Sequence, residues 1–120
     1  MSNTVETEAT VAEGNFVIAQ YQTSRIRALW TSYKRIFQLT RDGVVTIDPG
    51  NFKVTNTFGY NEISNMCAAS NNDDHFSFDW QGNNFNYKTS HRAHLLCQFF
   101  ECVSKSTALA KSVGPFAVMR

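Results

Sequence analysis

The sequence predicts a mainly β domain of about seven short antiparallel strands, closed by one C-terminal amphipathic helix. Three observations lead to this class. Short apolar or alternating runs recur at spacings of roughly ten residues from Phe16 to Lys88. Turn signals such as Asp42-Gly43 separate these runs. After Ser90 the apolar period lengthens from two residues to about 3.6, which indicates a helix that covers the sheet.

Composition indicates one soluble globular domain. The chain has 120 residues, of which 42% are hydrophobic and 18% are charged, and its formal net charge is +1. A nearly neutral chain lacks the domain-wide basic excess that supplies affinity for nucleic acid, so we expect no nucleic-acid partner. No run reaches the roughly 18 apolar residues of a spanning helix, and the acidic first residues do not resemble a signal peptide. We therefore expect a cytoplasmic protein.

The chain divides into a leader, one domain and a short tail. Residues 1–14 contain acids but no apolar periodicity, which predicts a disordered acidic leader. The folded domain is expected over residues 15–113. Gly114-Pro115 should stop the helix, which leaves residues 114–120 as a tail or a linker to following domains.

Four strands are predicted in the first half of the domain. Their residues are short apolar, β-branched or alternating runs, at 16–21 (continuing into the basic stretch 22–27), 31–40, 44–47 and 52–57. Asp42-Gly43 indicates a type I′ hairpin turn, and Pro49-Gly50 indicates a type II turn. Both turn types need positive φ, so we expect Gly43 and Gly50 to supply it.

The second half predicts an irregular strand, an aromatic hairpin and the helix. Residues 59–69 show no clean alternation, so a short irregular fifth strand is expected there. A hairpin with a buried aromatic face follows, carried by Phe76, Phe78, Trp80, Phe85 and Tyr87. Ser90 is the expected N-cap of the helix, and the helical spacing of Leu96, Phe99, Phe100 and Val103 predicts its buried face. Seven strands plugged by a terminal helix are typical of a pleckstrin-homology-like barrel, although the strands alone would also allow a small sandwich or an open barrel.

No catalytic or metal-binding pattern is found. Cys67, Cys97 and Cys102 are an odd number without C-x-x-C spacing, so reduced thiols are expected. The three histidines, His75, His91 and His94, have no convincing third ligand beside them, and no nucleophile, phosphate-loop or zinc motif occurs. We expect a non-enzymatic domain without metal or cofactor.

Positive charge is concentrated at the start of the domain. No acid lies between Ser24 and Arg41, and this segment includes Arg25, Arg27, Lys34 and Arg35. A phosphorylated headgroup needs several donors that converge from a loop and an adjacent strand, which such a segment could supply. The alternative is an ordinary solvated basic surface. If Trp30 is exposed beside this segment, it suits a membrane interface. The alternative is that Trp30 is a buried anchor at the start of the second strand.

Four segments resemble a known family. They are Tyr33-Lys34-Arg35-Ile36-Phe37, Val45-Thr46-Ile47-Asp48-Pro49, Val54-Thr55-Asn56 and Thr89-Ser90-His91-Arg92. Together they resemble the amino-terminal region of the receptor-mediated endocytosis protein eight family, which are large endosomal DnaJ-domain co-chaperones. The resemblance covers roughly residues 21–103. The His-Pro-Asp signature of a J domain is absent from this sequence, so chaperone-stimulating activity is expected outside this chain.

The resemblance implies a function and a site. It implies a pleckstrin-homology-like module that binds phosphatidylinositol 3-phosphate on early endosomes, as a peripheral membrane protein. The basic-x-x-Trp spacing of the family falls on Arg27 and Trp30, and its Y-K-R run falls on Tyr33, Lys34 and Arg35. Here two residues rather than three separate Trp30 from Tyr33. Arg25 completes the expected lipid-headgroup site.

A second function from a different class stays open. On the same fold, a peptide could bind between the helix and the fifth strand, or the domain could pack against other domains of its own long chain or against endosomal sorting proteins. This alternative makes the domain a protein-interaction module without lipid binding. Whether the basic loop or the helix-side groove is the exposed, complementary surface separates the two.

Overall fold

The computed structural model describes residues 16–28 and 31–113, with side chains to Thr107. The predicted leader at 1–14, the tail at 114–120 and Trp30 lie outside these ranges. Within them the chain forms seven strands and one long helix. The strands are β1 (Val17–Ile26), β2 (Ser32–Thr40), β3 (Gly43–Ile47), β4 (Val54–Gly59), β5 (Ile63–Ala68), β6 (His75–Trp80) and β7 (Asn83–Lys88), and the helix is α1 (Arg92–Val113).

The strands form one antiparallel sheet that bends back on itself. Their order is β4-β3-β2-β1-β7-β6-β5, so β4 and β5 are the two edge strands. These edges are nevertheless consecutive in the chain, joined only by a short 3-10 turn over Tyr60–Glu62. Because a three-residue link cannot span a flat seven-stranded sheet, the sheet must curl into a barrel-like shape.

Aromatic rings fill the interior of this curled sheet. Phe37 from β2 and Phe58 from β4 are fully buried and face the aromatic hairpin of β6 and β7. The rings of Phe78 and Tyr87 are stacked with their centroids 5.9 Å apart, and Phe58 is edge-on to Phe78 at 5.1 Å. Both arrangements are favourable for aromatic quadrupoles. The predicted aromatic face is therefore confirmed, although Trp80 is only half-buried and donates a 3.1 Å hydrogen bond from Nε1 to Glu62.

The helix covers one side of the core with most of the predicted face, since Phe99 is buried and Leu96 and Val103 pack against the core, but the centre of that face is shifted. Leu95, Phe99 and Cys102 are buried, whereas Phe100 is 52% exposed. Positions spaced by four and three residues lie on one helical face, and the apolar run Leu95-Leu96 allowed two registers of that face. The helix also begins one residue later than expected, because an N-cap at Ser90 predicts a first helical residue at 91 and α1 begins at Arg92. The first turn closes through the amide of Leu95 and the carbonyl of His91, so Ser90 is not the N-cap.

Both predicted glycine turns were wrong in their conformation. Neither Gly43 nor Gly50 has positive φ, which occurs instead at Phe52, Asn65, Gln81 and Gly82. Gly43 is required for a steric reason, because a Cβ there would overlap the carbonyl oxygen of Phe58 on the paired strand. The consecutive positive φ values of 54° and 80° at Gln81 and Gly82 are those expected of a tight β6–β7 hairpin turn.

The fifth strand is irregular, as predicted. Its pairing with β6 shifts between Ser64 and Cys67, and Asn65 has a φ of 55°. A bulge of this kind interrupts the ladder and bends the strand. The centre of β5 therefore does not present a regular row of backbone amide and carbonyl groups at the outer edge of the sheet.

Buried tyrosines should make the fold sensitive to alkali. Burial raises the pKa of Tyr21 and of Tyr87 to about 12, and raises the pKa of Tyr60 as well. In the unfolded chain these phenols ionise near 10. The stabilisation from keeping them neutral is complete below pH 10 and is lost as the pH rises through the folded values.

We expect the midpoint of urea denaturation to fall between about pH 10 and 12. The phenolate absorbance of the three buried tyrosines should rise together with the loss of the fold rather than before it. A phenolate signal from all four tyrosines of the chain, with the fold intact, would contradict this expectation.

Candidate anion-binding grooves

The basic segment of the sequence lies on the β1–β2 hairpin. Residues that face each other across an antiparallel pair point to the same side of the sheet. Arg25 is opposite Tyr33, whereas Ser24 is opposite Lys34. The hairpin therefore presents arginine on one side and lysine on the other.

A third strand extends the lysine side. β7 pairs with the other edge of β1, and Ser24 is also opposite Lys88. Lys34, Ser24 and Lys88 thus form a row across β2, β1 and β7, with Ser24 in the middle. At the usual strand spacing the two lysine Cα atoms are roughly 10 Å apart, so two long side chains can converge above the serine.

This row lies in a groove of about 580 Å³, called here the lysine groove. Pro49 and Phe52 of the β3–β4 loop line it, as do Asp74 of the β5–β6 loop and Ser90 before the helix. Arg35 also lines it, and its guanidinium Nη1 donates a 2.7 Å hydrogen bond to the carbonyl of Lys34. The groove therefore combines the two ammonium groups of Lys34 and Lys88 with two serine hydroxyls and one carboxylate. The guanidinium of Arg35 lies by Tyr33, on the other side of the hairpin.

Arg92 holds the Asp74 wall of the lysine groove in place. Its Nη1 donates to the carbonyl oxygens of Ala69, Asn72 and His75 at 3.2, 2.7 and 2.9 Å, which ties the β5–β6 loop to the first turn of α1. The amide of Thr89 donates to the carbonyl of Asp74 at 2.9 Å. These contacts fix the loop backbone from the helix side.

A second groove, of about 620 Å³, lies beside Arg25 and Arg27 and is called here the arginine groove. Phe85 and three asparagines complete it, Asn83, Asn84 and Asn86. The guanidinium of Arg25 lies 4.4 Å from the centre of the Phe85 ring, a cation–π contact. Within the described residues, its buried Nε has no hydrogen-bond partner.

The cations around the β1–β2 hairpin repel one another. Burial lowers the pKa of Arg25, and the neighbouring cations Arg27 and Arg35 lower it further. Burial is the larger cause, and the smaller contribution of Arg27 and Arg35 reflects positive charge close to Arg25. A bound anion would relieve that repulsion.

The structure divides the predicted site between the two grooves. Lys34 and Arg35 line the lysine groove, whereas Arg25 and Arg27 line the arginine groove. Lys34 and Arg27, which we expected to contact one headgroup together, are therefore not brought together. Tyr33 is exposed and lines neither groove, although the Arg35 guanidinium lies 5.6 Å from its ring centre.

Two residues of the lysine row were missed at the sequence level. Ser24 carries no charge, and Lys88 is far from the basic segment in the chain. The signal that could have found Lys88 is its position at the end of the aromatic hairpin. Nothing in the sequence, however, indicates that β7 pairs with β1.

Two other properties bear on what the domain can do. Among residues 16–28 and 31–113, no three His, Cys, Asp or Glu side chains are grouped so that they could hold a metal ion. Within the same ranges, no helix has both the length and the apolar character needed to cross a bilayer. The geometry of the described part is that of a surface with two basic grooves.

Solved structures with a fold similar to that of this chain include pleckstrin-homology domains. The DH/PH fragment of PDZRHOGEF, in the structure with human RhoA, matches with a TM-score of 0.67 and 10% identity, over 76% of this chain and 29% of that one. The Slm1-PH domain in complex with inositol-4-phosphate matches with a TM-score of 0.57 and 14% identity, over 72% of this chain and 92% of that one. The C-terminal domain of an unknown protein from Leishmania infantum matches with a TM-score of 0.65 and 7% identity, over 75% of this chain and 85% of that one. The predicted pleckstrin-homology-like fold is thereby confirmed.

Sequence comparison gives a family as well as a fold. No curated protein matches the chain. A family model does match, over residues 20–106, and it describes the N-terminal domain of the DNAJ protein RME-8. This range includes all seven strands except the start of β1, and the part of α1 that packs on the core. The chain therefore belongs to the family of RME-8 N-terminal domains, with the fold of a non-catalytic module.

Proposed function

We propose that this domain is a phosphoinositide-binding module that targets a longer protein to membranes, with the lysine groove as its headgroup site. The ligand we propose is phosphatidylinositol 3-phosphate on the cytoplasmic face of early endosomes. The observation that carries the proposal is the row of Lys34, Ser24 and Lys88 across three paired strands. The other domains of the longer chain and endosomal sorting proteins are its proposed partners.

The chemistry of the row suits a phosphate monoester. Two ammonium groups supply point charges, and a serine hydroxyl between them supplies a neutral donor. The volume of about 580 Å³ lies in the range of small-molecule sites. Because strands hold all three residues, the donors are positioned before the ligand arrives, which lowers the entropy cost of binding.

Asp74 favours a headgroup with one phosphate. A carboxylate in the wall of the groove can accept hydrogen bonds from inositol hydroxyls, whereas its negative charge disfavours a further phosphate close to it. A groove for a polyphosphorylated inositol would be expected to hold cations on each wall. The mixed charge of this groove therefore supports a monophosphorylated lipid.

Similar structures support the ligand class. The Slm1-PH domain, which shares this fold, was solved with inositol-4-phosphate. A domain of this fold can therefore accommodate an inositol monophosphate. The RhoA complex of the DH/PH fragment supports the alternative class, a protein partner.

The protein-interaction alternative has less support from the sheet edge. Strand addition needs a regular row of free amide and carbonyl groups. The register shift of β5 between Ser64 and Cys67, with positive φ at Asn65, breaks that row at its centre. Such bulges are a common way of protecting edge strands from pairing.

Vesicle flotation tests the proposal. Purified domain should float with phosphatidylcholine vesicles containing phosphatidylinositol 3-phosphate, and not with vesicles containing phosphatidylinositol alone. Because the contacts are charge-assisted, binding should weaken as salt is raised through physiological ionic strength. Equal flotation with both vesicle types, or none with either, would remove the lipid function and leave the protein-interaction one.

A further inference from the structure

A bulky side chain on the β3–β4 loop has a rare backbone conformation. Phe52 has a φ of 59°, in the left-handed region that large residues almost never adopt. Its side chain is nevertheless 44% exposed. Burial in the core therefore does not explain why a phenylalanine occupies a position where glycine would be unstrained.

The loop around Phe52 is held by its own hydrogen bonds. The amide of Phe52 donates to the carbonyl of Asp48 at 2.7 Å, and the amide of Asp48 donates to the carbonyl of Lys53 at 2.9 Å. The Asp48 carboxylate accepts from the amide of Gly50 at 2.8 Å. A loop closed in this way presents the phenyl ring in one place.

Further exposed apolar and cationic residues lie at the same end of the sheet as Phe52. Val54, two residues on, is 48% exposed, and Tyr33 at the start of β2 is 44% exposed. β2 starts and β3 ends at the same end of the sheet, because Ile36 pairs with Ile47. Lys34 lines the same groove as Phe52, and Lys53 is its exposed neighbour.

We propose that Phe52 is a membrane-inserting residue, which enters the lipid interface beside the lysine groove while the groove holds a headgroup. An exposed aromatic ring flanked by lysines matches the chemistry of a bilayer surface, with apolar chains below and anionic phosphates above. The proposal rests on the proposed lipid function and adds a second contact to it. The strained conformation has a function if it directs the ring out of the domain and into the membrane.

The test variant is Phe52→Gly, which removes the ring and suits the positive φ. It should bind vesicles containing phosphatidylinositol 3-phosphate about tenfold more weakly, because the apolar area of one ring no longer leaves water. Its affinity for soluble inositol 1,3-bisphosphate should stay within about twofold, because the lysine row is intact. Its denaturation midpoint should not fall, since the strain is relieved.

Two controls separate insertion from other effects. Phe100→Ala removes a similarly exposed phenylalanine from the helix and should leave vesicle binding unchanged. Phe52→Leu keeps an apolar side chain and should retain most of the binding. Unchanged vesicle binding by Phe52→Gly would overturn the insertion, and an equal loss toward soluble headgroup would show that the ring contacts the ligand instead. If the unsubstituted domain binds soluble headgroup but not vesicles, only the proposal of membrane insertion is overturned. If it binds neither, both the insertion and the proposed lipid function are overturned.

Discussion

Phe99→Ala is expected to destabilise the domain by about 3 to 5 kcal/mol, the usual range for a buried phenylalanine reduced to alanine. Phe99 is 3% exposed, and its ring packs edge-on against Tyr60, with 5.7 Å between centroids. Tyr60 in turn donates a 2.6 Å hydrogen bond to the carbonyl of Thr40. The variant therefore leaves a cavity between the helix and the turn that joins the two edges of the sheet. Urea denaturation followed by circular dichroism measures the loss.

The neighbouring residue provides the matched control. Phe100→Ala changes the same side chain one position along the helix, where it is 52% exposed. It should change the free energy of unfolding by less than about 1 kcal/mol. If both variants lost similar stability, or if Phe99→Ala lost less than about 1 kcal/mol, the helix would not pack on the core through this face.

Lys34→Ala together with Lys88→Ala is expected to weaken binding to phosphatidylinositol 3-phosphate vesicles by about a hundredfold or more. A hydrogen bond to a charged group contributes about 1.5 to 3 kcal/mol, and two such losses amount to about 3 kcal/mol at the least. Both side chains are exposed, so the fold should be unchanged. Flotation over a range of lipid concentrations measures the affinity, and the denaturation midpoint checks the fold.

Charge-matched variants show whether the effect is local. Arg41→Ala with Lys105→Ala removes the same formal charge from residues that are paired with Asp42 and Glu101, away from both grooves. This control should weaken binding by only a few-fold, through general electrostatics. Arg25→Ala with Arg27→Ala removes the cations of the arginine groove. If that pair lost affinity and the lysine pair did not, the headgroup site would lie on the other side of the hairpin.

The fold was predictable because most elements, although not the irregular β5, have a strong local pattern. The alternation of Phe76 and Phe78 indicates a strand, and the turn after Trp80 indicates its hairpin partner. The turn types were not predictable, because a glycine can serve either positive φ or close approach. At Gly43 the reason is the carbonyl of Phe58, which belongs to a strand that only the tertiary fold brings near.

The candidate site was only partly predictable, because the sequence shows where charge is concentrated but not which distant strands pair. Local charge density pointed to the hairpin that carries Lys34 and Arg25, and both residues line grooves in the structure. Which residues share a groove depends on strand alternation and on the β1–β7 pairing, and that pairing joins distant parts of the sequence. Lys88 enters the row only through this long-range pairing.

The seam between β1 and β7 also determines when the domain can complete its fold. The side chain of Thr89 donates to the carbonyl of Gln22 across 67 positions of the chain, and the Tyr21 hydroxyl pairs with His94 across 73. Contacts between such distant residues make folding slow, because a long loop must close before they form. On the ribosome, β1 has no partner on this side until the last strand has emerged. The row that aligns Lys34 with Lys88 is therefore assembled only after β7 has been synthesised, and a nascent chain that ends before β7 presents the row without Lys88.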